Sequence, residues 1–310
     1  MKNKTIVITG GAGFIGSNLA RDLSKDNEVS VVDNLSTGRL ENIQDLIENQ
    51  QINFIKGSIT DLDLLQQTFN EIDYVFHQAA IPSVPRSVND PLSSHHANVT
   101  GTLNVFLAAR DNQIKKVVYA SSSSVYGDTP TLPKKEDMNP SPLSPYAVGK
   151  LTGEYYAQVF STVYDLPVAS LRYFNVYGPG QDPLSEYAAV IPKFITLMLN
   201  NKPPIVFGDG AQTRDFTFIK DVIQANKKAA ECKATGVFNI ACGTRISIND
   251  LVSLLSDETQ KHTKPIFEDP RPGDILHSLA DISKAKQQLN YQPHYSMKQG
   301  LQETVQWFQQ

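Results

Sequence analysis

The stretch Thr9-Gly10-Gly11-Ala12-Gly13-Phe14-Ile15-Gly16 follows a β-branched run, Thr5 to Thr9, and leads into an amphipathic segment from Ser17 to Lys25. Its glycines fit both a Gly-x-Gly-x-x-Gly and a Gly-x-x-Gly-x-x-Gly spacing. Between a strand and a helix, glycine allows a tight turn, a close backbone approach to a pyrophosphate, and close packing of the helix on the strand. The helix N-terminus then faces the anion. A glycine-rich turn without a ligand is the alternative, and the strand before it and helix after it favour the dinucleotide. Asp33 closes the next β-branched run, Val29 to Asp33. A carboxylate there accepts both hydroxyls of an adenosine ribose and repels a 2′-phosphate, so the expected cofactor is NAD rather than NADP. Asn34, Thr37 and Gly38 follow as further contacts.

The alternation continues outward from this unit. Asn53 to Lys56, Tyr74 to His77 and Lys116 to Ala120 read as strands, with amphipathic helices over Asp61 to Asn70 and Ala97 to Asp111 between them. Repeated βαβ units with right-handed crossovers give a doubly wound parallel sheet in an α/β fold. A helix from Tyr146 to about Tyr164 and a strand near Val168 to Leu171 complete a cofactor domain over residues 1–175. Proline and glycine then become frequent, which marks residues 176–310 as a smaller, loop-rich α/β lobe. Its apolar run Val237 to Ala241 is expected to rejoin the first sheet within residues 236–242.

Composition narrows the class. The 310 residues carry 19% charged and 40% hydrophobic side chains and a formal net charge of −4, as in an ordinary soluble globular chain. No cluster of Lys and Arg offers a nucleic-acid footprint. Cys232 and Cys242 have neither disulfide-framework nor metal-ligand spacing, so no metal is expected and a reduced compartment is. The run Ile6-Val7-Ile8 is too short for a signal core or a membrane span, and the expected location is the cytoplasm.

Two features carry chemistry. The first is Ala120-Ser121-Ser122-Ser123-Ser124-Val125-Tyr126-Gly127 at a strand end. The second is Tyr146-Ala147-Val148-Gly149-Lys150 entering a helix. Tyr and Lys four apart share a helical face, so the ammonium favours the ionised phenol. An oxidised nicotinamide pushes the same way, which makes a phenolate base available near neutral pH. Alone, the Tyr-Lys pair reads more readily as an exposed pair on a surface helix, and the serines as turn formers. Behind a dinucleotide turn, in this order, they read as a site.

With these motifs the chain resembles the extended short-chain dehydrogenase/reductases of the Rossmann type, and within them the UDP-hexose 4-epimerases, especially those acting on UDP-N-acetylglucosamine. The resemblance runs nearly the whole length. Beyond the motifs above it rests on His77-Gln78-Ala79-Ala80, Asn98-Val99-Thr100-Gly101-Thr102, Ser144-Pro145-Tyr146, Leu171 to Asn175, Gly208-Asp209-Gly210 with Arg214-Asp215, and Arg271-Pro272-Gly273-Asp274. It implies that Tyr146 is the base toward the sugar 4-hydroxyl, that Lys150 lowers its pKa and binds the nicotinamide ribose, and that Ser122 hydrogen-bonds the same oxygen. Implied NAD contacts are Gly10, Gly13, Phe14, Ile15, Asp33, Asn34, Thr37, Gly38, Ser58, Ile59, Gln78, Ala79, Ala80, Asn98, Tyr146, Lys150 and Tyr173. Implied substrate contacts are Ser83, Val84, Ser122, Ser123, Ser124, Tyr146, Asn175, Ala189, Val190, Arg214, Arg271, Asp274 and Ser278.

The resemblance also sorts the reactions. Dehydratases of the superfamily carry an acidic pair where this chain has Ser123 and Ser124, so hydride return, and hence epimerisation through a 4-keto sugar, is expected instead. Ser278 stands where hexose-restricted relatives can carry tyrosine, which leaves room for a 2-acetamido group. The segments Ser83 to Ser87 and Ala188 to Pro192 point the same way. UDP-GlcNAc and UDP-GalNAc are the expected pair, with UDP-Glc and UDP-Gal as further substrates. UDP-glucuronate, with Arg86 as carboxylate partner, and a non-catalytic NAD-binding regulator are the alternatives. Ser58, where many relatives have Asp facing the adenine, and Pro82, where Gly or Lys is common, depart from the pattern. A homodimer through the helices over Ala97 to Asp111 and Tyr146 to Tyr164 is expected.

Overall fold

The computed structural model describes residues 1–183, 189–270 and 275–310. Strands β1 (Thr5–Thr9), β2 (Glu28–Asp33), β3 (Asn53–Lys56), β4 (Tyr74–His77), β5 (Lys116–Ser122), β6 (Val168–Tyr173) and β7 (Gly236–Ile240) form one sheet in the order β7-β6-β5-β4-β1-β2-β3. Every neighbouring pair is parallel. The sheet is the doubly wound one expected, and β7 does rejoin it beside β6, with Gly236 opposite Ala169.

Side chains alternate across each strand, so one strand feeds two cores. Ile6, Ile8, Val29, Val31 and Phe76 enter the core beneath α1 (Phe14–Leu23) and the later helix Ile219–Glu231. Val7, Val32, Val75 and Val117 enter the core beneath α2 (Leu62–Thr68) and two further helices, Gly101–Asp111 and Pro145–Val163. Burial on both faces explains why these strands read as continuous apolar runs.

The remaining principal helices are, in chain order, α3 (Val84–Asn89), α4 (Gly101–Asp111), α5 (Pro145–Val163), α6 (Val190–Leu199), α7 (Ile219–Glu231), α8 (Ile248–Thr259) and α9 (Met297–Phe308). Helices α6, α8 and α9 pack on one another beside short ladders. Ile205–Phe207 pairs in parallel with Ile266–Glu268, and Thr213–Arg214 pairs antiparallel to Ile246–Ser247. Ile191, Phe194, Leu251 and Leu301 from these helices join the same core as Ile6 and Ile8.

Two local differences from the sequence reading matter for the site. Helix α1 starts at Phe14 rather than Ser17, because Gly13 is extended and serves as its N-cap. The segment expected as one helix over Ala97 to Asp111 begins with a π-helical turn, His96–Thr100, before α4. No helix among the described residues is long and apolar enough to cross a membrane. The chain runs from β1 to β3 in one direction across the sheet and from β4 to β7 in the other. A crevice therefore opens at the carboxyl ends of β1 and β4, the place where such sheets bind ligands.

Candidate active site

The glycine turn lines that crevice. Gly10 has a φ of 71°, and a side chain on it would lie 2.5 Å from the Ala79 backbone. At Gly13 the only neighbour such an atom would meet within 4 Å among the described residues is the Gly10 carbonyl oxygen, at 3.3 Å. Gly13 also gives α1 no side-chain cap, which leaves first-turn amides for an anion. Asp33 is buried, and its two oxygens each accept one amide, from Ala12 at 2.9 Å and from Leu35 at 2.8 Å. Burial pushes its carboxyl pKa up against the pull of those amides. Each oxygen keeps a lone pair that a ribose hydroxyl can use.

Asp33, Asn34, Thr37, Ser58, Ile59, Ala79 and Ala80 wall a cavity of about 380 Å³ suited to adenosine. Gly38 is not on that wall. It packs behind Asp33, where a side chain would sit 2.8 Å from the carboxylate. The cavity meets a main cleft of about 780 Å³ lined by Gly10, Gly13, Phe14, Ile15, Gln78, Ser83, Tyr146, Lys150 and Tyr173. A glycine turn, bare helix amides and a braced acid at two joined cavities fit a dinucleotide.

Helix α5 carries Tyr146 and Lys150, the expected base and its cationic partner. Its N-cap Ser144 accepts the Ala147 amide, and the Tyr146 amide donates to Ser87 Oγ on α3 at 3.1 Å. One turn on, Lys150 Nζ donates to the Ala120 carbonyl at 2.8 Å and lies 5.9 Å from the Tyr146 ring centre. Burial pushes the Lys150 ammonium down to about 7. Burial raises the Tyr146 phenol, while a hydrogen bond with Ser122 lowers it. Ser122, Tyr146 and Lys150 are thus brought together at the end of β5. Ser123 enters a 3-10 turn, and Ser124 Oγ is buried without a partner among the described residues.

Tyr173 OH donates to Asn226 Oδ1 at 3.0 Å, and Gln78 Nε2 donates to the same oxygen at 3.2 Å. Asn226, fully buried on α7, has no motif in the sequence; its signal is a polar residue, like Asp221, on the helix's otherwise apolar buried face. Asn98 does not reach the cleft wall. The π turn carries it to Ile81, whose amide it accepts at 2.8 Å and whose carbonyl it binds at 3.2 Å, so it fixes the loop after β4.

Ala189 on the cleft wall also lines a third cavity, about 280 Å³, with Asn175, Val190, Phe194, Phe207, Arg214 and Phe216. Asn175 Nδ2 donates to Ser278 Oγ at 3.4 Å, which sets Ser278 beside this space. Val84 is 41% exposed and outside all three cavities. Arg271 and Asp274 lie outside the described residues.

Residues 6–241 match the model of the NAD dependent epimerase/dehydratase family. The chain belongs to this family. The epimerase is 40% identical to a putative UDP-glucose 4-epimerase of Methanocaldococcus jannaschii, over 97% of each chain. Among solved structures it is 45% identical to the UDP-N-acetylglucosamine 4-epimerase of Methanobrevibacter ruminantium in complex with UDP-N-acetylmuramic acid, over 99% of each chain, with a TM-score of 0.96. It is 37% identical to the UDP-glucuronic acid 4-epimerase of Bacillus cereus in complex with UDP-glucuronic acid and NAD, over 98% of this chain and 99% of that one, with a TM-score of 0.90. The epimerase is accordingly an NAD-dependent enzyme acting on UDP-sugars at C4.

Proposed function

We propose that the enzyme interconverts UDP-GlcNAc and UDP-GalNAc, and also UDP-Glc and UDP-Gal, through a transient 4-keto sugar. The observation that carries this reading is the continuity of the site. Tyr146, which is hydrogen-bonded to Ser122, and Lys150 line one cleft with the glycine turn, and Ala189 joins that cleft to a separate aromatic-walled cavity.

Tyr146 takes the 4-hydroxyl proton, Ser122 holds the same oxygen, and Lys150 supplies the positive charge that favours the phenolate. Bound NAD supplies reversible hydride acceptance from C4, and its cationic ring favours the same phenolate. The third cavity, with Phe207 and Phe216 as flat walls and Arg214 for phosphate, grips the nucleotide end. The wider cleft leaves the sugar free to turn about its diphosphate link. Ser123 and Ser124 offer no carboxylate for elimination, so the ketone is reduced again.

The N-acetyl preference rests on small Ser278 beside Asn175 and on the similarity to the M. ruminantium enzyme. UDP-glucuronate is the second reading, supported by the B. cereus enzyme and by Arg86 on the cleft wall. Incubation of the purified protein with UDP-GlcNAc and no added NAD tests the first: UDP-GalNAc should appear. No conversion even with NAD added, together with turnover of UDP-glucuronate, overturns it.

A homodimer fits the surface. Val148, Tyr155, Val159 and Val163 form one exposed apolar stripe along α5, flanked by Val84, Val88 and Leu92. Light scattering should give twice the chain mass.

A further inference from the structure

Among the described residues, the cationic side chains that line the cleft are already committed, with one exception. Arg39 pairs with Glu41 at 3.6 Å and with Asp182 at 3.5 Å. Lys150 is buried and spends a proton on the Ala120 carbonyl. Arg86 is exposed, and its guanidinium makes no ion pair or hydrogen bond among the described residues. The nearby Asp90 carboxylate accepts the Ser93 amide at 3.0 Å and feels the Arg86 charge, which helps lower its pKa, without forming an ion pair with it.

Arg86 also has a particular place. It lines the adenosine cavity, with Asp33 and Ser58, and it lines the main cleft, with Tyr146 and Lys150. Residues common to both walls, including Gly10, Ala79 and Ala80, mark where the two halves of a dinucleotide join, which is its diphosphate. The residue is held in place. Ser83 caps α3 by accepting the Arg86 amide at 3.1 Å, and Ser87 next to it accepts the Tyr146 amide at 3.1 Å. The helix bearing Arg86 is therefore tied to the helix bearing the base.

We infer that Arg86 is a diphosphate-binding residue of the cofactor site, placed at the junction of the two cavities, and that it sets how firmly NAD is retained. A guanidinium matches two phosphate oxygens with paired donors, which a lysine does only as a point charge. The need for it is visible on the same walls. Ser58 spends its hydroxyl on Thr60 at 2.8 Å, and Pro82 brings no amide donor to the cleft. The inference concerns the cofactor and holds whichever UDP-sugar is turned over.

The test is NAD retention, read without any sugar present. Wild type, Arg86→Lys, Arg86→Gln and Arg86→Glu are purified alike, the NAD bound per chain is measured after acid release, and its loss on dialysis is timed at low and high salt. Arg86→Gln should lose NAD about tenfold faster, as for one charge-assisted bond removed. Arg86→Glu should lose it faster still, Arg86→Lys should fall between wild type and Arg86→Gln, and the differences should shrink in high salt because the group is exposed. Equal retention in wild type and Arg86→Gln overturns the inference. So does unchanged retention with a raised KM for UDP-glucuronate alone, since the guanidinium would then serve a substrate carboxylate.

Discussion

Glu154 and Arg172 form a bidentate ion pair sealed from solvent, with Arg172 Nε to Oε1 at 2.8 Å and a terminal nitrogen to Oε2 at 2.7 Å. Ser121 donates to the same carboxylate. Each member sits beside a residue of the site: Ser121 before Ser122, Glu154 one helical turn after Lys150, Arg172 before Tyr173. The pair therefore ties β5, α5 and β6 together beside Ser122, Lys150 and Tyr173.

Glu154→Gln should destabilise the protein by about 3–5 kcal/mol, because Arg172 stays charged in the core with no counter-ion. Replacing both, Glu154→Leu with Arg172→Met, should recover much of this in urea denaturation, since packed apolar residues often substitute for a buried pair at little cost. Its kcat should stay depressed. A double variant with normal stability and normal kcat would show that the pair plays no part in positioning.

Lys150 exchanges stability for function. Its folded pKa is pushed from 10.5 down to about 7. Without cofactor the penalty is absent above pH 10.5, grows as pH falls, and is complete below about 7. Lys150→Met should thus be more stable than wild-type apoprotein at pH 7, and the gain should vanish toward pH 10.5. The same variant and Tyr146→Phe should each lose about 10²–10⁴-fold in kcat. An apoprotein no more stable with methionine would contradict the burial argument.

His77 sets an acid limit. It is fully buried between Thr9 Oγ1 at 2.7 Å and Thr102 Oγ1 at 3.0 Å, and burial, with the Lys150 charge, pushes its pKa down from 6.5 to about 3. Protonation is thus disfavoured in the fold, so stability from this group is full above pH 6.5 and falls by about 1.4 kcal/mol per unit toward pH 3. His77→Gln should flatten the dependence over that interval when urea midpoints are compared. An unchanged slope would mean that other groups carry the acid loss.

Much of the frame is legible because its signals are local. Asn53–Lys56 and Tyr74–His77 match the strands expected from β-branched runs, and Thr9 to Gly16 identifies the turn through the backbone constraints of glycine. Tyr146 and Lys150 are legible because one helical turn separates them. What escapes is long-range. The pairing of Ile205–Phe207 with Ile266–Glu268 joins segments some sixty residues apart with no local periodicity. Asn226 and the Glu154–Arg172 pair look like stray polar residues in apolar elements until the fold brings their partners. Asn98 reads as a ligand contact until the π turn redirects it to Ile81.

Ser278 provides the sharpest test of substrate size. Its amide donates to Thr213 at 3.0 Å and its hydroxyl accepts from Asn175 at 3.4 Å, so the backbone is anchored while the side chain stays small beside the substrate space. Ser278→Tyr would place a ring there, keeping the amide bond to Thr213 and losing the bond from Asn175. A pocket discriminates even a single methylene by about 1–3 kcal/mol, or 10–200-fold. The ratio of kcat/KM for UDP-GlcNAc to that for UDP-Glc should fall by that factor, with the loss on the N-acetylated substrate. Equal losses on both would mean overpacking rather than selection, and an unchanged ratio would place the acetamido group elsewhere in the cleft.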